Sequence, residues 1–478
     1  MSSTSSVSSS TSTSTGTSTS SSVSNFNLNG INLMNGQGID VASEVSQLVA
    51  AASVPETQWK TQQTSISAQI ADLGVLQTTT STLQADLLAM GSIAGTLTAR
   101  STTSSDSALV TASASALSAV GNHTVVVSKV ATSASYYTSE VASSSTTLNS
   151  GSFSIQVGSG TAQTVTIDSS NNTLTKLAST INGLGLGVTA SVITDASGAR
   201  LAIVSQSTGA ASDIAISGAS SGLSFSFTKA ATGADASLTV DGVPVDSASN
   251  TVTGVISGVT LNLNGADSNT TVNISVTPDS SAVTSAVTSF VNDYNTLIND
   301  ISEEFSYSSS SSSAGPLQGD MAVESLQNIL LNVGSYTSSN STVATLADLG
   351  ISMNNDGTLT LNSSTLSNAV SNNYSAVQNF FQGDGTGTTG LANQLYSSLN
   401  LVTDPVDGAF TVDLSSLNSS VSSLQTQIDD FQTYLTTQQT FWTSQYDTLN
   451  VTLEELPTEL EAVQAELGNS NYASDRSY

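Results

Sequence analysis

The C-terminal part of the chain repeats an apolar residue every seven positions, and this repeat constrains the fold more than any other feature. One column of the repeat is unbroken and contains Leu414, Val421, Ile428, Leu435, Trp442, Leu449 and Leu456. The second column contains Leu417, Leu424 and Phe431 and then weakens at Gln438, Gln445 and Thr452. Two such columns are typical of a helix that packs lengthwise on another helix. The sequence therefore predicts a C-terminal coiled-coil helix over residues 411–467, with Pro457 interrupting the pattern.

A matching repeat lies near the N-terminus. Its first column contains Trp59, Ile66, Leu73 and Leu87 with Thr80, and its second contains Leu76, Leu83 and Met90 with Gln62 and Gln69. Before this repeat, "GIDVASEVSQLVAAA" predicts an amphipathic helix that starts after Asp40. Pro55 then predicts either a second helix or a kink. Residues 38–100 are therefore predicted to form the N-terminal helices.

The two repeats are predicted to pair antiparallel, because both lose apolar residues toward the chain termini. Matching the apolar residues gives a register that pairs Leu73 with Phe431, Leu76 with Ile428, Leu83 with Val421, Leu87 with Leu417, Gln62 with Trp442 and Trp59 with Gln445. The heptad residues form a candidate assembly seam: Trp59, Ile66, Leu73, Leu76, Leu83, Leu87, Leu414, Leu417, Val421, Leu424, Ile428, Phe431, Leu435, Trp442, Leu449 and Leu456.

The middle of the chain has a different pattern. Short alternating runs such as "HTVVVSKV", "SFSIQVG" and "VTLNLNG" lie between Gly, Asn and Ser turns and predict β-strands with polar outer faces. Helical patterns resume with "SAVTSAVTSFVNDYNTLINDI", and the later "GISMNNDGTLTLN" resembles a hairpin. The fold class is therefore predicted as α+β and multidomain, with an antiparallel terminal coiled-coil or helical-bundle leg domain and inserted mostly-β domains.

Domain boundaries follow from these changes of pattern. The remaining predicted segments are a disordered Ser/Thr-rich tail (1–37), a mostly-β region (101–280) large enough for two small domains, a helical domain with a short hairpin (281–410) and a flexible tail (468–478).

The charge of the chain excludes several classes of function. The 478 residues include 36 acidic and only seven basic side chains, which gives a formal net charge of −29. Without a basic patch, binding to nucleic acid or to an anionic membrane surface is not expected. The N-terminus lacks the basic start and apolar core of a signal peptide, and no stretch approaches the roughly 20 apolar residues of a membrane span.

Candidate catalytic groups are few. The chain has no cysteine, and its one histidine, His123, is predicted to be solvated or locally hydrogen-bonded at the start of a strand. Neighbouring acid pairs such as Asp429 and Asp430 would point apart on a helix. The glycine-rich "GDGTGTTG" lacks the lysine of a phosphate loop. We therefore predict no catalytic, cofactor-binding or metal-binding residues, no cofactor and no enzymatic activity.

Several motifs occur in the order found in flagellar filament-capping proteins, the hook-associated protein 2 family. They include "GIDVASEVSQLVAA", "LTVDGVPVDSASNTVTGVISGVTLNLNG", "SFVNDYNTLINDI", "GPLQGDMAVESLQNIL", "LADLGISMNNDGTLTLN" and "LNSSVSSLQTQIDDFQTYL". The chain resembles this family over residues 38 to 460. The resemblance implies that residues 38–100 supply the N-terminal helices of a leg and of an inner helical domain. It also implies a discontinuous inner β domain (101–146 and 232–280) and an outer β domain (147–231).

The resemblance implies an extracellular protein of the bacterial flagellum that leaves the cell through the type III export channel without a cleaved signal peptide. It implies a homo-oligomeric ring of about five copies at the filament tip, which promotes the folding and insertion of flagellin subunits. Further implied partners are the hook–filament junction proteins and a cytoplasmic export chaperone at the C-terminal helix.

Two alternatives remain open on the sequence alone. A Ser/Thr-rich, lysine-poor chain with β modules is also typical of an extracellular adhesin that binds host or matrix glycans. Another axial flagellar protein, such as one of the hook–filament junction, is the second alternative. Pairing of the N- and C-terminal helices favours the cap over the adhesin, because an adhesin stalk does not need it.

Overall fold

The computed structural model describes residues 27–28, 31–32, 39–308, 313–339, 342–385 and 389–470. The chain divides into two compact units, a terminal unit of residues 1–74 and 412–478 and a central unit of residues 75–411. The described α-helices are α1 (Val41–Ala52), α2 (Val54–Gly91), α3 (Leu174–Gly183), α4 (Ser280–Phe305), α5 (Met321–Leu331), α6 (Ser363–Gln382), α7 (Leu391–Thr403) and α8 (Ala409–Ser470).

The described β-strands are short. They are β1 (Asn27–Leu28), β2 (Ile31–Asn32), β3 (Arg100–Ser104), β4 (Val110–Ala114), β5 (Gly121–Lys129), β6 (Ser135–Thr138), β7 (Gly151–Val157), β8 (Gln163–Ile167), β9 (Val188–Thr194), β10 (Ala199–Ser205), β11 (Ile214–Ser217), β12 (Phe227–Ala231), β13 (Ala236–Val240), β14 (Val243–Ser247), β15 (Thr251–Ile256), β16 (Val259–Leu263), β17 (Asp267–Pro278), β18 (Tyr307–Ser308), β19 (Ser313–Ala314), β20 (Ile351–Met353) and β21 (Leu359–Leu361).

The terminal unit consists of α1, the first part of α2 and nearly all of α8. The break between α1 and α2 falls at Ser53, whose backbone N–H donates to the Val49 carbonyl. Pro55 lies in the first turn of α2, where its missing N–H costs no helical hydrogen bond. The sequence pattern left open a kinked helix or two helices, and the structure has two.

The structure describes only part of the two predicted terminal tails. Within the tail predicted over residues 1–37, β1 and β2 pair antiparallel, with Leu28 opposite Ile31. Between them lie Asn29 and Gly30, a dipeptide that favours a two-residue hairpin turn. The rest of residues 1–37 lies outside the described residues, as do residues 471–478, whereas α8 continues to Ser470.

The central unit contains two β regions, each with its own core. In the first, a five-stranded sheet (β14-β13-β5-β17-β3) accompanies a three-stranded sheet (β15-β16-β4). Alternate residues of β13, namely Ala236, Leu238 and Val240, are buried in a shared core with residues such as Val125 and Ile274. This alternation explains why the strands could be predicted from the sequence.

The second β region lies, in sequence, between β5 and β13. Its sheets have the strand orders β12-β6-β10-β9 and β11-β7-β8, and α3 buries Leu177 and Ile181 in the same core as Phe153 and Leu201. Strand β6 pairs with β10 and β12, although the predicted inner domain extended to residue 146. The chain therefore passes between the two cores nearer to residue 132 than was predicted, because the strand at Ser135–Thr138 finds its partners in the second region.

The helical part of the central unit is built on α4. Asp279 caps this helix by accepting hydrogen bonds from the backbone N–H groups of Ser281 and Ala282. The buried face of α4 comprises Val283, Val287, Phe290, Val291, Tyr294, Leu297, Ile298 and Ile301. The hairpin β20–β21 pairs antiparallel, and Asn295 of α4 holds it through two hydrogen bonds to the backbone of Leu359. Together with the terminal helices, these elements confirm the predicted fold class.

Candidate functional site

The terminal helix pair begins with a reciprocal contact between residues 411 positions apart. The backbone N–H of buried Ile39 donates to Oδ1 of Asn450 at 2.6 Å, and Nδ2 of Asn450 donates to the Ile39 carbonyl at 2.9 Å. The Asp40 side chain then accepts from the Ser43 N–H at 3.1 Å and caps α1. The Asn450 side chain thereby fixes the level on α8 at which α1 begins.

An aromatic contact joins the middle of the pair. The rings of Trp59 and Phe431 meet edge to face, with centroids 5.3 Å apart and planes at 83°. Phe431 also stacks on Tyr434 of its own helix, with centroids 5.8 Å apart. Edge-to-face pairs contribute about 0.5–1.5 kcal/mol beyond their buried area. The half-buried Trp59 therefore holds α2 at one level of α8.

Polar bonds flank the aromatic contact. Nε2 of Gln432 donates to Oε1 of Glu56 at 2.7 Å, and the Lys60 ammonium lies 2.6 Å from the same oxygen. These bonds, Gln432 first and then Lys60, hold the pKa of Glu56 below its ordinary value. About two helical turns after Glu56 on α2, Gln63 donates to Gln425 at 2.9 Å. The pair is thus specified by polar side chains as well as by apolar ones.

These contacts confirm the antiparallel pairing, because the contacted positions on α8 fall as those on α2 rise. The predicted register is wrong by two heptads, since Trp59 meets Phe431 and not Gln445. The pairs predicted for Leu73, Leu76, Leu83 and Leu87 rest on that register and lose their basis with it.

The predicted contact between Gln62 and Trp442 is also wrong. Gln62 lines a groove together with Leu424 and Gln427, about two heptads before Trp442 on α8. Sliding one heptad helix along another by seven or fourteen residues leaves apolar columns facing apolar columns, so the repeat alone cannot select among these registers. Side chains with specific partners make the selection, namely Trp59 with Phe431, Asn450 with Ile39, and the glutamines at 63, 425 and 432.

The seam residues differ in burial. Seven are buried: Leu73, Leu76, Leu83, Leu87, Leu424, Ile428 and Leu435. Seven are half-buried: Trp59, Ile66, Leu414, Leu417, Val421, Phe431 and Trp442. Leu449 and Leu456 are exposed. Burial along α8 therefore declines toward its C-terminal end.

Thr80 is the polar residue within the first column of α2, and it is fully buried. Its hydroxyl donates to the Leu76 carbonyl at 2.6 Å, so the polar atom has a partner inside the helix. The same type of bond recurs along α8, where threonine hydroxyls donate to the carbonyl four residues earlier, as at Thr433, Thr440 and Thr448.

The end of α8 departs from the predicted pattern. The helix continues through Pro457 to Ser470. The second apolar column, which fades at Gln445 and Thr452, returns one residue later at Leu453 and Leu460. The alternating steps of four and three residues through 449, 453, 456, 460 and 463 were present in the sequence and identify this stripe. The Ile39–Asn450 contact, by contrast, had no sequence signal.

The single histidine is locally hydrogen-bonded, as predicted. Nδ1 of His123 lies 2.7 Å from Oδ2 of Asp241, and Oδ1 of Asp241 accepts from the Thr124 N–H at 2.8 Å. The bond from His123 is the largest of the effects that lower the pKa of Asp241. The contact joins β5 to the tight turn after β13 and thus stabilises the sheet.

Two carboxylates of the central unit are partly buried. Among the described side chains, Oδ2 of Asp86 on α2 and Oδ2 of Asp300 on α4 are buried without a hydrogen bond. Burial, followed by the charge and hydrogen bond of Asp293, raises the pKa of Asp86. Burial likewise raises the pKa of Asp300 against a hydrogen bond from Thr79. Ionisation of these groups opposes the packing of α2 on α4.

Within the ranges that the structure describes, no group of three or more His, Asp or Glu side chains could hold a metal ion. Nor does that part of the chain contain a helix both long and apolar enough to cross a membrane. The geometry that remains as a candidate site is the terminal helix pair.

Comparison with known protein families identifies both halves of the chain. Residues 37–134 match the family described as "Flagellar hook-associated protein 2 N-terminus", and residues 233–457 match "Flagellar hook-associated protein 2 C-terminus". The two matched segments include α1, α2 and α8 up to residue 457.

Individual relatives agree with the family matches. The B-type flagellar hook-associated protein 2 of Pseudomonas aeruginosa is 30% identical over 394 residues, which cover 76% of this chain and 82% of that protein. The flagellar hook-associated protein 2 of Escherichia coli is 30% identical over 390 residues, with the same coverage of 76% and 82%. The crystal structure of the D1-D2-D3 domains of the Escherichia coli flagellar cap protein FliD has 26% identity and a TM-score of 0.58, and covers 73% of this chain and 99% of that one.

Proposed function

Because the chain belongs to the flagellar hook-associated protein 2 family, we propose that it caps the distal tip of the bacterial flagellar filament. In this proposal copies of the chain form a ring that promotes flagellin folding and insertion during elongation. The relative whose structure is similar is described as a flagellar cap protein. The observation that carries the proposal is the antiparallel pair of terminal helices, joined at Trp59 and Phe431, in a chain of this family.

The assembly seam would serve two purposes. Its buried members, such as Ile428 and Leu435, hold the helix pair together. Its half-buried members, including Trp442, remain partly accessible to a neighbouring helix. Flagellin or a second copy of the chain would pack against these side chains. The C-terminal helix is also where we place an export chaperone.

The central unit offers a separate surface for self-association. Leu401 and Val406, at the end of α7 and in the loop after it, are largely exposed, and so is Leu88 on α2. A 3.1 Å hydrogen bond between Thr403 and Gln84 brings these two elements together. Large exposed apolar side chains on packed elements are typical of a contact surface. We assign this surface to contacts between neighbouring copies in the ring.

The two β regions are assigned to the outer part of the cap. Five of the seven basic residues lie in residues 100–229, which include most of these strands, and the terminal helices carry only Lys60 before residue 476. The proposed inner and outer β domains would keep the cap soluble, and the helical domain (281–410) would connect them to the leg. We propose that the cap acts outside the cell, after export, as a structural protein without catalysis, and that it also contacts the hook–filament junction proteins.

The proposal is tested with the purified full-length protein by negative-stain electron microscopy and mass photometry. Rings or stacked pairs of rings with one copy number are expected. Leu401→Asp should dissociate them, whereas Ile193→Asp places the same charge at an exposed site of the second β region and should not. A protein that stays monomeric at micromolar concentration, or a deletion strain that grows filaments of normal length, would refute the proposed function.

A further inference from the structure

The C-terminal third of α8 carries an apolar stripe that stays exposed. Leu449, Leu456, Leu460 and Val463 are 44%, 41%, 56% and 52% exposed, and Leu453 between them is half-buried. Their spacing of alternately four and three residues places them on one side of the helix. A continuous apolar stripe on an otherwise acidic helix indicates a surface that something covers.

The Ile39–Asn450 contact fixes where the preceding chain starts. Asn450 lies next to Leu449, the first residue of the stripe, and it binds both the N–H and the carbonyl of Ile39. From Ile39 onward, α1 and α2 run back toward the N-terminal end of α8. The chain before Ile39 therefore enters at the level where the helix pair ends and the exposed stripe begins.

The segment that precedes Ile39 has the composition to cover the stripe. Residues 26–34 contain Phe26, Leu28, Ile31, Leu33 and Met34, whereas residues 2–25 are almost entirely Ser and Thr. The pairing of β1 with β2 places Leu28 opposite Ile31. Apolar residues concentrated in this way are not needed in a solvated tail.

The segment is also long enough. An extended chain of thirteen residues, 26–38, spans about 45 Å, and the same chain folded as a hairpin reaches about half as far. The helix rises about 20 Å between residues 450 and 463. The apolar residues of the segment can therefore lie alongside the stripe in either form.

Charge favours residues 26–38 over a second copy of α8 as the segment that covers the stripe. The stripe is flanked by Glu454, Glu455, Glu459 and Glu461, and residues 449–463 contain no Lys or Arg. Two copies of this helix face to face would bring these glutamates together, which opposes association. No charged side chain precedes Asp40, so residues 26–38 meet the acidic helix without repulsion.

We infer that residues 26–34 of the same chain pack on the stripe from Leu449 to Val463 and extend the terminal helix pair beyond Asn450. Residues 26–34 thereby cover the part of α8 beyond Asn450 that a longer first helix would otherwise cover. This inference goes beyond the proposed cap function and does not depend on it.

Disulfide trapping tests the inference, and the absence of native cysteines makes it clean. The full-length variant Leu33→Cys/Leu460→Cys is oxidised at several protein concentrations, and Leu33→Cys/Thr458→Cys serves as the matched control. Thr458 is exposed and lies on the opposite side of α8, about 160° around the helix. We expect an intramolecular disulfide with Leu460→Cys that forms at least about tenfold faster than in the control, at a rate independent of concentration.

A second measurement removes the apolar side chains. In Leu28→Ser/Ile31→Ser, amides 452–464 of α8 should exchange with solvent about tenfold faster, while amides 425–435, near Trp59, keep their rates. Equal trapping in both cysteine variants, or unchanged exchange in the serine variant, would overturn the inference. Disulfide-linked dimers at Leu460→Cys whose formation rises with concentration would also overturn it and assign the stripe to a second copy.

Discussion

A double-mutant cycle on Trp59 and Phe431 tests the register of the terminal helices directly. The two rings meet edge to face at 5.3 Å, and both are half-buried. We expect a coupling free energy of about 1 kcal/mol, within the range of about 0.5–1.5 kcal/mol for such pairs. Leucine is the replacement at each site, because it keeps helix propensity and much of the apolar volume. The contact of Phe431 with Tyr434 is lost in both Phe431→Leu variants and cancels from the cycle.

Amide exchange measured residue by residue is the appropriate assay, because a chain with two compact units does not unfold in a single step. A coupling of 1 kcal/mol corresponds to about a fivefold change in protection of the amides around Trp59. A second cycle pairs Trp59→Leu with Gln445→Ala, the partner in the register predicted from the sequence. Coupling below about 0.3 kcal/mol in the first cycle, with a larger value in the second, would refute the register described here.

Four further predictions concern single groups. Because the pKa of Asp86 is raised in the folded chain above an unfolded value of about 3.9, its stabilising contribution is complete below about pH 4 and is lost as the pH rises through the folded pKa. Asp86→Asn should therefore raise the melting temperature of the central unit at pH 7 but not at pH 3.5. Glu56→Gln should remove stability of the terminal unit that the wild type loses only as the pH falls through the lowered pKa of Glu56. For either variant, equal shifts at both pH values would contradict this. Tyr294→Phe removes the 3.0 Å hydrogen bond to the buried Leu330 carbonyl and should cost about 1–2 kcal/mol, seen as faster exchange in α4 and α5 with β7 and β8 unchanged as the internal control. Pro457→Ala restores a backbone donor within α8 and should raise the local stability of the helix around residue 457 by up to about 3 kcal/mol, seen as slower amide exchange. Unchanged exchange rates would show that the helix is already open there.

The sequence predicted which elements pair but not how they are aligned. The apolar residues at every seventh position, in the columns that contain Leu435 and Leu73, identified two long helices. They also identified the antiparallel packing, because only such packing buries a seam of this kind. The register could not be predicted, because sliding one helix along the other by seven residues leaves apolar columns facing each other. The hydrogen bonds between Asn450 and Ile39 fix the register. Neither segment contains a sequence pattern that predicts a contact between residues 411 positions apart.

Other differences have local causes. Pro457 suggested an interruption of the apolar repeat within the helix predicted over residues 411–467. The surrounding "TLEELPTELEAVQAEL" is strongly helix-forming, and α8 continues through Pro457 to Ser470. The strand at Ser135–Thr138 was assigned to the wrong side of a boundary because alternation shows that a segment is a strand and not which sheet it joins. Asn29 and Gly30 were read as part of a polar tail, although this dipeptide favours the turn between β1 and β2.

The hydroxyl groups along α8 have a consequence for any helix that packs against it. At Thr433, Thr440, Thr443 and Thr448 the hydroxyl is already engaged with a carbonyl of its own helix. A neighbour that approaches this surface removes little tightly bound water and finds methyl groups in place of fixed hydrogen-bonding sites. Such a surface has no strong preference for one axial position of its neighbour. Moving that neighbour along the helix by a residue or a turn breaks few specific hydrogen bonds. Sliding along this surface therefore costs little free energy.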